Sequence, residues 1–287
     1  MLSLDGLVAV CLVYVVALFG IAFLAEKRAT EGNARWLNSP FVYTLSLSIY
    51  TTAWTFYGAV GSAARSGLEF MTIYLGPTLV FVGWFWLLRK MVRIGRAQRI
   101  TSIADMISSR YGKSGALAAL VTVLAVIGTT PYLALQLQSV TLSFSVFDDP
   151  GEFAALGTDT TAVWVAGGLA LFTIIFGTRS LDVNERHPGL VSAIALEAIV
   201  KLAALLAVGI FVVWGVAEGP SDILARIEDS PISEWRSNGA RWVGLTVLSA
   251  AAILCLPRMF QVLVVENAHE GHLATAAWAF PLYLLLM

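Results

Sequence analysis

The chain has 287 residues, 58% of them hydrophobic and only 13% charged, with a mean hydropathy of +0.78. About a quarter of the residues in a soluble domain are charged, so this composition excludes one. The apolar segments run to about 20 residues, the length of a membrane-crossing helix, which excludes a barrel of short alternating strands. The formal net charge of −1 says little as a total; its distribution along the chain says more.

The pattern predicts an all-α polytopic membrane protein of seven complete spans and a truncated eighth. They fall at about 4–25, 41–64, 70–88, 116–144, 161–176, 189–216, 242–265 and 273–287, all within one transmembrane domain over residues 1–287. The first span has its basic residues, Lys27 and Arg28, behind it rather than before it, so no cleavable signal is expected. Pro40 opens the second span. Gly76 and Pro77 predict a kink in the third. The basic link that follows contains TSIADMISSRYG, which predicts a short amphipathic helix at the membrane surface, capped by Thr101 or Ser102 and stopped by Gly112. Gly128, Thr129, Thr130 and Pro131 interrupt the fourth span. An acidic link, 148–159, leads to the fifth. A polar stretch over 217–240, with one short helix at 221–227, separates the sixth from the seventh, and the chain is still apolar at Met287. Cys11 and Cys255 both lie in apolar spans and have no disulfide or metal-ligand spacing.

Assigning alternate links to opposite sides places thirteen of the eighteen basic residues on one side: Lys27, Arg28, Arg35, the seven from Arg89 to Lys113, Arg179, Arg186 and Arg258. The positive-inside rule makes that side cytoplasmic and puts the amino terminus outside. The arginine cluster after span three then follows from topology, with anionic lipid as a further contact, and no nucleic-acid partner is implied.

Four polar features inside the spans carry functional readings, each with a plainer alternative. The first is SLSIYTTAWTFYGAVG, residues 46–61, whose hydroxyls gain nothing in a helix that only faces lipid. If the helix loosens at mid-membrane, they and the freed carbonyls can hold an ion or polar solute. Alternatively, its small residues and hydroxyls serve helix contacts. The second is Thr129, Thr130, Tyr132 and Gln136 around Pro131, which frees a carbonyl; they form either a cavity patch or a satisfied kink. The third is Glu197 and Lys201, four apart on one face and in the favourable order, either a coupling pair or a structural bridge. The fourth is Arg258 after Pro257, with Gln261 on a similar face. Arg258 either binds a carboxylate or, if the helix ends early, lies at the cytoplasmic surface, the reading preferred on sequence. His269-Glu-Gly-His272 is one residue short of a zinc motif and reads as chance proximity, so no metal site is expected there. No phosphate-cradling loop, nucleophile elbow or nucleotide fingerprint is visible, so the chain does not read as an enzyme.

The second and seventh spans, both broken and polar, stand five spans apart, as in a five-helix unit repeated with inverted topology. Several runs, in order, resemble the sodium/solute symporter family: TTAWTFYGAVGSAARSGLEF (51–70), YLGPT (74–78), RITSIADMISSRYGKS (99–114), PYLALQLQSV (131–140), LEAIVKL (196–202) and LPRMFQVLVVEN (256–267). They most resemble the symporter module fused to bacterial sensor histidine kinases of the CbrA type. The resemblance implies a LeuT-like fold with an extra amino-terminal helix, in the bacterial inner membrane. It also implies transport or sensing of a small amino-acid-like solute, sodium as coupling ion, no other cofactor, and a kinase portion in cis. By position it implies Ser48, Thr51, Thr52 and Thr55 for the ion and Tyr50, Trp54, Tyr132, Gln136, Cys255 and Gln261 for the solute. The alternative is a sensory or scaffold membrane domain that does not transport. Two departures stand out. Tyr50 takes the position of a sodium-linked aspartate found in proline symporters, and the chain ends in its eighth span, so the second repeat is expected to be incomplete. Nothing in it resembles a kinase.

Overall fold

The computed structural model describes residues 4–31, 36, 38–145, 163, 166–168, 170–171, 188–234 and 238–287. Among them every regular element is a helix. The expected fifth span, 161–176, lies mostly outside these residues, as do Arg35, Arg179 and Arg186.

Among the described residues three helices are long and apolar enough to cross a membrane, at Gly6–Thr30, Gly115–Phe144 and Gly189–Val216. They belong to α1 (Leu4–Thr30), α7 (Gly115–Ser145) and α8 (Pro188–Phe211), the last ending in a wide turn, Val212–Val216. Val13 and Val16 on α1 and Val123 and Ile127 on α7 point away from the protein. Such a display of aliphatic side chains suits lipid rather than water.

Between α1 and α7 the chain is cut into shorter pieces. Ser39 starts α2 (Pro40–Ser46): its Oγ accepts from Val42 N at 3.2 Å, and Pro40 occupies the first turn, where its missing N–H costs nothing. A tight turn, Leu47–Tyr50, continues α2, and after two extended residues α3 (Ala53–Ser66) begins. Gly67, at φ +53°, ends α3 in a conformation that a side chain would resist.

α4 (Thr72–Val82) is shorter than the expected third span, 70–88, because the chain leaves the helix in a turn at Gly83–Leu87. Hydropathy cannot mark that end, since the turn residues are aromatic and apolar. α5 (Leu88–Gln98) and α6 (Ile103–Arg110) follow, and Ser102 Oγ caps α6 by accepting from Asp105 N at 3.1 Å. After α8 come α9 (Pro220–Glu228) and α10 (Gly239–Cys255). α11 (Pro257–Phe260) runs into a wide turn, Gln261–Val265, and α12 (His272–Leu286) completes the series.

α4 lies along α10, α1 along α8, and α2 packs between α8 and α12. The α4–α10 approach is close: a methyl on Gly76 would meet Ala250 N and Thr246 O at 2.6 Å. Ser249 Oγ donates to Thr72 O at 2.7 Å across the same contact. Arg241 Nε donates to the buried Glu69 carboxylate at 2.8 Å at its end. The core is assembled from Tyr43, Leu47, Phe81, Leu88, Ile253, Met259, Phe260, Val262, Leu263, Leu273, Ala276, Phe280, Tyr283 and Leu284, with the tilted rings of Phe81 and Phe280 4.7 Å apart. It anchors one side of each broken helix, and the broken ends lie at its margin.

Candidate functional site

Within residues 41–64 the helix is broken. Thr51 (φ −82°, ψ 121°) and Thr52 (φ −129°, ψ −169°) are extended between the Leu47–Tyr50 turn and α3. No proline or glycine sits there, so no steric rule breaks the helix. The short hydroxyl side chains instead offer the backbone local partners. Ser48 O accepts both Thr51 N and Thr51 Oγ1 at 2.8 Å, and Ser46 Oγ donates to Tyr43 O at 2.8 Å. Thr52 O accepts Thr55 N at 2.9 Å and so starts α3.

Two other helices hold the extended pair. From α8, Lys201 Nζ donates to Thr51 O at 2.9 Å, and Glu197 lies 3.3 Å from the same ammonium. From α7, the Tyr132 hydroxyl donates to Thr52 Oγ1 at 2.8 Å. Adjacent residues at the break are thus fastened in different directions, Thr51 through its carbonyl and Thr52 through its side chain.

Residues 242–265 are broken as well. α10 and the Pro257–Val265 segment meet at 57°. Leu256 is extended (φ −63°, ψ 128°), as a residue before proline prefers to be, and Pro257 cannot donate back into α10. The bend carries Arg258 to α7. Its Nη1 donates to the Tyr132 oxygen at 2.7 Å, and its guanidinium lies over the Tyr132 ring at 4.4 Å. Arg258 is thus packed against α7 and half-buried rather than projecting freely. The helix does not end early; it bends and continues, so the residue after the proline faces the middle of α7. Thr52, Tyr132 and Arg258 form a chain of contacts joining both breaks.

The other expected site residues divide between the cluster and separate roles. Ser48 is fully buried beneath the break, and Thr55 is buried one turn into α3. The Tyr50 hydroxyl is already engaged, donating to Ile73 O at 2.8 Å, while its ring meets Phe280 edge-on. Trp54 lies over Gly58 on its own helix, where any larger residue would strike the indole. Gln136 is one turn beyond Tyr132, and among the described residues no hydrogen bond ties it to the cluster. Cys255 is a free, exposed thiol at the end of α10. Gln261 Nε2 donates to Glu266 Oε1 at 3.1 Å, along its own segment.

The arrangement provides an unwound backbone, a row of hydroxyls and two cations inside apolar helices. Its titratable members are the Glu197–Lys201 pair and Arg258, and its hydroxyls are those of Thr51, Thr52 and Tyr132. No protein-family model, curated protein or solved structure matches the chain.

Proposed function

We propose that this chain is the solute-binding part of a symporter-like membrane module, with an amino-acid-like solute taken at the two helix breaks. The observation that carries the reading is the unwound pair Thr51–Thr52, tied through Tyr132 to Arg258 beside the second break. A helix that only spans lipid keeps its backbone bonds within itself. One that opens at mid-depth beside polar side chains forms a cavity wall or a ligand site. The runs that resemble sodium/solute symporters fall on these same elements, which supports a LeuT-like arrangement of seven spans and an eighth. The basic links support a cytoplasmic-membrane protein with its amino terminus outside, and the resemblance alone supports a histidine kinase in cis.

Sodium is the proposed coupling ion, near the Ser48, Thr51 and Thr55 hydroxyls. Because Lys201 already donates to the Thr51 carbonyl, an entering ion takes the neighbouring oxygens or displaces the ammonium.

Binding and uptake of radiolabelled L-amino acids by the protein in lipid vesicles test the reading. The expected result is saturable binding that rises with sodium and falls in Thr51→Ala and Thr52→Ala. Sodium-independent binding indifferent to both substitutions overturns it. Binding without accumulation assigns the module to sensing alone.

A further inference from the structure

Among the described residues Arg258 has no counter-ion. The ion pairs among the described residues join Glu270 to Arg89 and Arg93, Lys201 to Glu197, Arg226 to Asp222, and Arg241 to Glu69. Arg258 belongs to none of them. Its Nη1 has only the neutral Tyr132 oxygen, and its Nε is shielded from solvent with no acceptor. A guanidinium at bilayer depth is costly unless an anion or a set of acceptors compensates it, and an aromatic face offsets only part of that cost. Nor does the rest of the cluster supply the missing charge, because Glu197 is already matched by Lys201. The junction therefore carries one uncompensated positive charge, next to an unwound backbone and two hydroxyls.

We propose that Arg258 is the anchor for a carboxylate on the bound solute, with Tyr132 holding the guanidinium in place. This rests on the solute-binding reading and narrows it to carboxylate-bearing molecules. Arginine suits the role because its planar fork matches a carboxylate, and its charge persists at every working pH. Binding restores neutrality at the junction and provides an acceptor for Nε. It also explains why the bend must follow Pro257: it turns Arg258 toward the break at Thr52.

The test measures thermal stabilisation of the 287-residue chain in lipid nanodiscs by two matched probe sets. One is the common L-amino acids with short monocarboxylates such as acetate, lactate and pyruvate. The other is the carboxamides of the same molecules. At least one carboxylate is expected to bind where its carboxamide does not. Arg258→Gln is expected to weaken that binding by at least about tenfold and to remove the discrimination. Arg258→Lys keeps the charge without the fork; it is expected to retain weakened, still carboxylate-selective binding, which keeps the test open if the glutamine variant does not fold. A structural role alone would not separate acid from amide. Equal binding of acid and amide, or unaltered binding in Arg258→Gln, overturns the assignment but leaves a solute site at Thr52. Absence of binding by every probe overturns both.

Discussion

The two helix breaks are built differently. At Leu256–Pro257 the covalent structure does the work: proline withholds a donor and drives the preceding residue out of the helix. The distal arm is then fixed by Met259, Phe260 and Leu263, all fully buried. At Thr51–Thr52 nothing in the backbone forbids a helix, and the extended pair is held by Lys201, Tyr132 and the local hydroxyls. One break is imposed by the chain and the other is maintained by its neighbours. Only the second can respond to a change in what those neighbours bind, so a ligand-driven movement belongs at Thr51–Thr52 and the Pro257 bend supplies the fixed frame.

The largest expected effect comes from cutting the tie to α8. Lys201→Met leaves the buried Thr51 carbonyl without its donor and should cost about 2 kcal/mol, the cost of orphaning a buried acceptor. Thermal melting in nanodiscs would show it, and hydrogen exchange should rise around residues 48–55. Glu197 is partly exposed, so Glu197→Gln in the same chain should recover little. A full recovery would mean that the ion pair, rather than the carbonyl contact, holds the break.

Pro257→Ala should matter less. It removes the restriction on Leu256 and loosens the unfolded chain, an effect of about 0.5–1 kcal/mol, while the buried side chains beyond it keep the arm where it is. The contrast can be read from the ratio of the two losses. If Pro257→Ala destabilises more than Lys201→Met, the assignment of imposed and maintained breaks is reversed.

The sequence makes the imposed features legible and leaves the maintained ones open. Apolar length marks α7, and α8 together with its terminal turn to Val216, to within a residue or two, because membrane-crossing helices need little tertiary information. Ser102 and Gly112 mark α6 for the same local reason. Hydroxyl density suggests a loosened second span, but whether it opens depends on Lys201 and Tyr132, 150 and 80 residues away in sequence. The contact of Arg258 with Tyr132 is not legible, because helical spacing along one segment cannot register a 57° bend. A signal was nonetheless present, a lone arginine directly after proline inside an apolar run. Tyr50 and Gln261 are polar residues of the right type, yet each spends its hydrogen bond on a nearby backbone or side chain, a choice visible only in three dimensions.

The smallest effect concerns the far end of the imposed break. Glu270, in the loop between the Gln261–Val265 turn and α12, accepts from Arg93 Nε at 2.6 Å and Arg89 Nη2 at 3.4 Å. These hydrogen bonds hold its carboxyl well below the usual range, at about 2. A carboxylate with a lowered folded value stabilises above its unfolded value, about 4.3, and loses that contribution as pH falls toward 2. The carboxylate is partly exposed and its pairs are screened by salt, so the expected change is slight. Glu270→Gln should flatten the stability profile between about pH 4 and pH 2 while leaving hydrogen exchange at residues 48–55 unaltered. If protonating Glu270 does loosen Thr51–Thr52, the frame is not rigid and the two breaks move as one.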